Sequence, residues 1–175
     1  YNDGNGTHAG HVRVYDLVNG SWTQVGEDID GEAANDRSGY SVSMNSSGDR
    51  VAIGAYGNDG NGADAGHVRV YDLVNGSWTQ VGEDIDGEAA GDRSGTSVSM
   101  NSSGDRVAIG AFHNDGNGTE AGHVRVYEYS NSSWTQVGED IDGEAADDKS
   151  GWSVSVNSAG DRVAIGATYN DGNGT

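Results

Sequence analysis

The chain repeats itself. "GHVRVY" begins at Gly10, Gly66 and Gly122, and "DRVAIGA" begins at Asp49, Asp105 and Asp161, each copy 56 residues after the last. Three such units and seven further residues make up the 175. A fixed period near this length marks an array whose unit is one supersecondary element, unable to bury its apolar surface alone. Neighbouring units must then supply the core.

Each unit reads as four short strands. In the unit that opens at Ser38, "SGYSVSMN" (38–45) alternates, with Val42 and Met44 on one face and Ser41 and Ser43 on the other. The turn "SSGD" leads to "RVAIGA" (50–55), and the loop "YGNDGNGADAG" (56–66) leads to "HVRVYDL" (67–73). "NG" at 75–76 is the type I′ hairpin signal before "SWTQVG" (77–82). The stretch "EDIDGEAAGD" (83–92) then connects to the next unit, and no segment has a helical period.

Four antiparallel strands per unit make the blade of a β-propeller, so the expected fold is all-β, with tandem four-stranded antiparallel blades. Residues 1–37 supply the second half of a blade, strands three and four with a connection. Residues 38–93 and 94–149 are complete blades, and 150–175 supply strands one and two of another. Closed propellers have about four to eight blades, so the ring is incomplete within this segment. Open edge strands invite pairing. The expected partners are therefore other copies of the chain or the rest of a longer one. The phrase "NDGNG" at 2–6, 58–62, 114–118 and 170–174 falls between the second and third strands, so the segment starts and stops half-way through a blade. Trp22, Trp78 and Trp134 hold one position per unit and read as packing between blades.

Composition narrows the function. The formal net charge is −19, with 30 glycines and neither proline nor cysteine. Disulfides and thiolate metal sites are excluded. An acidic chain with no basic stripe repels nucleic acid and anionic lipid. No apolar run approaches the ~20 residues that span a bilayer, so no membrane insertion is expected in this segment. Apolar residues are few, but they recur in β-branched runs bounded by Gly, Asn, Asp and Ser, which is a strand-and-turn pattern and not that of a disordered chain.

"SGYSVSMNSSGDRVAIGAYGNDGNGADAGHVRVY" resembles an FG-GAP repeat, the blade unit of integrin α-subunit propellers and of many microbial surface proteins. The matching parts are the "x-G-x-S-V" opening, "V-A-I-G-A" and "G-x-V-x-V-Y", and they recur along the whole chain. The near-identical units are also similar to long repeat proteins of marine microbes. The resemblance implies a propeller at the cell surface or outside the cell. Two departures stand out. The Phe-Gly of the family is Ser-Gly here, at Ser38–Gly39, Ser94–Gly95 and Ser150–Gly151. The integrin-type calcium string between the first two strands is reduced to "NSSGD" or "NSAGD", so that site does not carry over.

Two other stretches carry oxygen ligands. One is the "NDGNG" loop with the acid that follows it: Asn58, Asp59, Asn61 and Asp64, then Asn114, Asp115, Asn117 and Glu120. The other is "EDIDGE", with Asp84, Asp86 and Glu88, preceded by Asp28, Asp30 and Glu32 and followed by Asp140, Asp142 and Glu144. Propeller topology puts both on one rim. Calcium takes six to eight such oxygens, so no cofactor is expected except Ca²⁺ as a candidate ion. Tight turns select the same residues, because Asn, Asp and Gly tolerate positive φ and bond to nearby backbone. His8 at the position of Asp64 argues against one strict site per blade. Asp36, Asp92 and Asp148 read as caps on the entry to the next strand. His11, His67 and His123, one per unit without a second His or Cys nearby, read as structural.

The glycosylation pattern N-x-S/T occurs at Asn5, Asn19, Asn45, Asn75, Asn101, Asn117, Asn131 and Asn173, each in an expected turn or loop. A chain this rich in Asn, Ser and Thr also makes the pattern by chance. The units differ at Tyr40, Thr96 and Trp152, and at Tyr56, Phe112 and Thr168, positions that map near the acidic rim and form a candidate surface for glycans or surface proteins. Nothing in a thrice-repeated phrase singles out an acid–base pair or a nucleophile, so no enzyme is expected. The function read from the sequence is a non-catalytic, extracellular or cell-surface scaffold, structural or adhesive. The alternative is a lectin-like or integrin-like ligand-binding propeller, and the weaker ones are a designed propeller or the non-catalytic part of an enzyme.

Overall fold

The computed structural model describes residues 5–172. In chain order the strands are β1 (His11–Val12), β2 (Tyr15–Val18), β3 (Ser21–Gln24), β4 (Ile29–Asp30), β5 (Ser41–Met44), β6 (Arg50–Ala55), β7 (His67–Val74) and β8 (Ser77–Gln80). They continue as β9 (Ile85–Asp86), β10 (Ser97–Met100), β11 (Arg106–Ala111), β12 (His123–Ser130), β13 (Ser133–Gln136), β14 (Ile141–Asp142), β15 (Ser150–Val156) and β16 (Val163–Ala167). Among the described residues there is no helix. All strand pairs are antiparallel, and two full blades form, β5-β6-β7-β8 and β10-β11-β12-β13.

Local chemistry closes each turn. Asn75 and Gly76 have φ of 53° and 83°, the left-handed pair that a type I′ turn needs to match strand twist. Between the first two strands, Asn45 Oδ1 accepts from the N–H groups of Asp49 and Arg50, both at 3.1 Å. Asn45 Nδ2 donates to Asp49 Oδ1 at 2.7 Å. This turn is held by its own side chains.

The outer strand of each blade comes in two pieces, which differs from the sequence reading. Residues 83–92 were expected to be connection only, yet β9 pairs with the start of β7, with His67 opposite Asp86 and Val68 opposite Ile85. β8 pairs with the end of the same strand, Tyr71 opposite Gln80. The register slips by two residues between the pieces, and Val81 still donates to Val70 O at 2.8 Å. The outer strand thus carries two extra residues, Val81 to Asp84 lying opposite Arg69 and Val70, an irregularity of the bulge kind that interrupts the ladder.

The core lies between blades. Ala52, Val68, Val70 and Ile85 of one blade pack against Val98, Met100, Val107 and Ile109 of the next, with Tyr127 and Trp134 at the margin. On the opposite face Val51, Ile53, Tyr71 and Trp78 meet Ile29 and Val12 of the half-blade before. Alternation along β6 thus sends a small residue to one neighbour and branched residues to the other. The same hydrogen bonds recur at each step. Ser41 Oγ donates to Gly95 O at 2.7 Å, and Ser97 Oγ to Gly151 O at 2.8 Å. Arg50 Nη1 reaches Gly104 O, and Arg106 Nη1 reaches Gly160 O, both at 3.0 Å.

Candidate functional site

The loop between the second and third strands of each blade meets the second piece of that blade's outer strand on one rim. Asn61 Nδ2 donates to Gly87 O at 2.8 Å, and Asn117 Nδ2 to Gly143 O at 2.7 Å. The two acidic stretches therefore lie side by side.

Within "NDGNG" the side-chain oxygens of the first Asn and of the Asp accept from the loop's own backbone. Asn58 Oδ1 accepts from Gly60 N, and Asn114 Oδ1 from Gly116 N, both at 2.8 Å. Asp59 Oδ1 accepts from Asp64 N, and Asp115 Oδ1 from Glu120 N, again at 2.8 Å. Asp64 and Glu120 have φ near 50°, as turn positions do. Glu120 pairs with Lys149 Nζ at 3.0 Å, and that partner first, then His113, holds its carboxyl below the usual range. Asn114 Nδ2 reaches into the preceding blade's connection, to Asp92 Oδ2 at 3.0 Å. Asp92 Oδ2 also accepts from Ala89 N, as Asp36 and Asp148 do from Ala33 and Ala145, so these acids close the connection itself. Asp86 is exposed, and its backbone carbonyl accepts from Arg125 Nη2.

The histidines, read from the sequence as structural, are buried in the two full blades. His67 and His123 open the third strand, are 1% exposed, and each faces two carboxylates. His67 groups with Asp84 of its own blade and Glu32 of the blade before, and His123 with Asp140 and Glu88. The Nδ1–Oδ2 distances are 3.4 Å to Asp84 and 3.5 Å to Asp140, beyond an ordinary hydrogen bond. Each His Nδ1 is buried and has no hydrogen-bond partner. The other oxygen of each aspartate is held at 2.6 Å, Asp84 by Gln80 and Asp140 by Gln136. The adjacent imidazole first, and then Gln80, keep the Asp84 carboxyl below its ordinary value. Burial, then Arg125, push the His123 imidazole down. Arg125 Nη1 stands 3.4 Å from Glu88 Oε1, and Arg69 Nη1 stands 3.2 Å from Glu32 Oε1.

The variable positions form a partly exposed aromatic row. Tyr40 meets Tyr56 edge-on at 4.5 Å, and Arg37 bonds the Tyr56 hydroxyl. Trp152 meets Phe112 at 4.6 Å. Thr96 does not join this surface: it is buried, and its hydroxyl donates to Arg93 O at 2.7 Å. Among the glycosylation patterns, Asn5, Asn19, Asn75, Asn117 and Asn131 are exposed, although Asn5 and Asn117 already donate to backbone carbonyls. Asn45 is half-buried in its turn. Asn101 is 2% exposed and bonds Asp105, which leaves no room for a glycan on its amide. Asn173 lies outside the described residues.

The FG-GAP repeat model matches residues 28–71 and 84–127. The chain belongs to the FG-GAP repeat family. Each FG-GAP match starts at the outer strand's second piece and runs through the next blade to Tyr71 or Tyr127, so it spans a blade interface together with its histidine. The comparison with curated proteins finds no match. Among solved structures, the FG-GAP chain is similar to a candidate 6-phosphogluconolactonase from Bacteroides fragilis NCTC 9343, at 14% identity and a TM-score of 0.53. The likeness covers 78% of this chain and 34% of that one, about a third of the other protein's length, and concerns the fold alone. No helix among the described residues is long and apolar enough to cross a membrane.

Proposed function

We propose that this chain is a non-catalytic, extracellular scaffold whose blades assemble through one interface used again and again. The observation that carries this reading is the match between its two open faces. Inside the chain, Trp134 Nε1 donates to Val81 O of the blade before, and Trp78 Nε1 to Val25 O, both at 2.9 Å. Trp22 has the same position in its unit and is 69% exposed. At the other end Val137 and Ile141 are exposed, whereas their equivalents Val81 and Ile85 are buried under the next blade. The first face has the residues that the last face lacks. Trp22 of one unit array seats on the Val137 carbonyl of a second, and the edge of the second array's β16 pairs with β1 and β2 of the first, which completes a blade. Such a head-to-tail contact closes a ring or extends a filament.

A second reading rests on the aromatic row. Tyr40, Tyr56, Trp152 and Tyr169 suit stacking against sugar rings, and with them the array would act as a glycan-binding adhesion module. A glycan array with the wild type and with Tyr40→Ala and Trp152→Ala variants separates the two. The scaffold reading expects no sugar-specific binding. Sugar binding that both variants abolish would favour the adhesion module.

A further inference from the structure

We propose that each complete blade interface holds one first-row divalent cation, with Zn²⁺ as the best fit, on Glu32, His67 and Asp84 and again on Glu88, His123 and Asp140. The ligand atoms of each set lie within 4.8 Å of one another. Two ligands on a tetrahedral ion with bonds of about 2.1 Å stand about 3.4 Å apart. The His–Asp separations of 3.4 and 3.5 Å match that edge, and Glu88 Oε2 stands 3.8 Å from His123 Nδ1.

A cluster of acids alone would carry nothing. The added fact is that the Nδ1 atoms of His67 and His123 are buried without a hydrogen-bond partner, each beside its own-blade aspartate and the glutamate of the blade before; His11 Nδ1 is also without one, but no glutamate joins its group. Leaving a buried polar atom unsatisfied costs about 1–3 kcal/mol, and an ion at this point would satisfy it. The surroundings are those of oriented ligands. Gln80 and Gln136 hold one oxygen of each aspartate, so that the other faces the imidazole. Arg69 and Arg125 stand against Oε1 of the glutamates, and on Glu88 this leaves Oε2 toward the histidine. One imidazole with two carboxylates suits zinc better than the all-oxygen ions calcium and magnesium. The remaining coordination position is left for water or a ligand.

The half-blade explains itself by contrast. His11 lies near Asp28 and Asp30, but Arg13 holds both oxygens of Asp28 at 2.9–3.0 Å. In the next two blades the equivalent arginines reach the glutamate of the preceding blade. The interface between blades, and not a single blade, builds the site. The structure therefore assigns two ions to this chain.

The test is calorimetric titration of the chelator-treated chain with ZnCl₂, repeated with CaCl₂. Glu32 and Glu88 side chains are 45% exposed, so Glu32→Gln and Glu88→Gln should fold, as far-UV circular dichroism will check. Two Zn²⁺ per chain are expected. Each variant should weaken one site by at least about tenfold, and the double variant both. Visible ligand-field bands of bound Co²⁺ should fall in the same order. No Zn²⁺ uptake, or uptake that the two folded variants leave unchanged, overturns the assignment. Calcium binding that outlasts the glutamate changes would point to the loops and would overturn it too.

Discussion

Trp134 Nε1 donates to the carbonyl of Val81 across the blade boundary at 2.9 Å, and its ring covers Gly82. A Cβ on Gly82 would stand 2.8 Å from Trp134 Cδ1, and one on Gly26 would stand 2.8 Å from Trp78 Cδ1. The bulge after the first outer piece thus bares a stretch of backbone on which the next blade's indole lies. This contact joins the repeat in the sequence to the packing of the fold.

Removing that indole should cost stability only where a neighbour receives it. Trp134→Ala should destabilise the chain by about 3 kcal/mol, as large-to-small changes at packed aromatics do. Trp22→Ala, at an exposed position, should change it by less than about 0.5 kcal/mol. Urea unfolding of both variants at low protein concentration, where copies stay apart, checks the contrast.

Two glycines with the same backbone separate strain from contact. Gly82 and Gly138 have φ of 75° and 77°, but nothing lies within 4 Å of a Cβ on Gly138. Alanine at either should cost about 1–2 kcal/mol for the left-handed conformation. Gly82→Ala should cost about 1–3 kcal/mol more, because the indole must move. Equal losses in thermal or urea unfolding would mean that the indole does not depend on a bare backbone.

Asp105 should contribute to the acid limit of stability. The Ser103 hydroxyl, then the Asn101 amide, hold its carboxyl below the ordinary 3.8. A folded pKa lower than the unfolded one favours folding above the unfolded pKa, and the benefit fades as pH falls through the folded value. Asp105→Asn should therefore be less stable than the wild type at neutral pH, with the gap closing below about pH 4. Melting temperatures of the two proteins across that range would show it. A gap that stays constant in acid would exclude the carboxylate as its source.

The blades were legible because their signals are local. Val42 and Met44 alternate with Ser41 and Ser43, and Asn75-Gly76 fits one turn type. The second piece of the outer strand was not. Ile85 and Asp86 are too few for alternation to show, and Gly82 and Gly87 on either side read as loop. What places them in a strand is the register with His67 and Val68, which is a long-range fact. The histidine groups were missed for the same reason. His67 and Asp84 meet when the outer strand pairs with the third, and Glu32 joins them only when the preceding blade packs against theirs. A signal was present, since a His and the acids of "EDIDGE" recur at fixed offsets in every unit. It needed the knowledge that the outer strand doubles back along the third.

In the proposed assembly the two open faces are halves of one interface. Sedimentation velocity over a concentration series measures this most directly, with the wild type beside Trp22→Glu, whose change leaves the internal interfaces untouched. The predicted result is a mass that grows in whole multiples of the chain for the wild type and stays at one chain for the variant. A wild type that remains a single chain at every concentration, or a variant that assembles equally well, would contradict it.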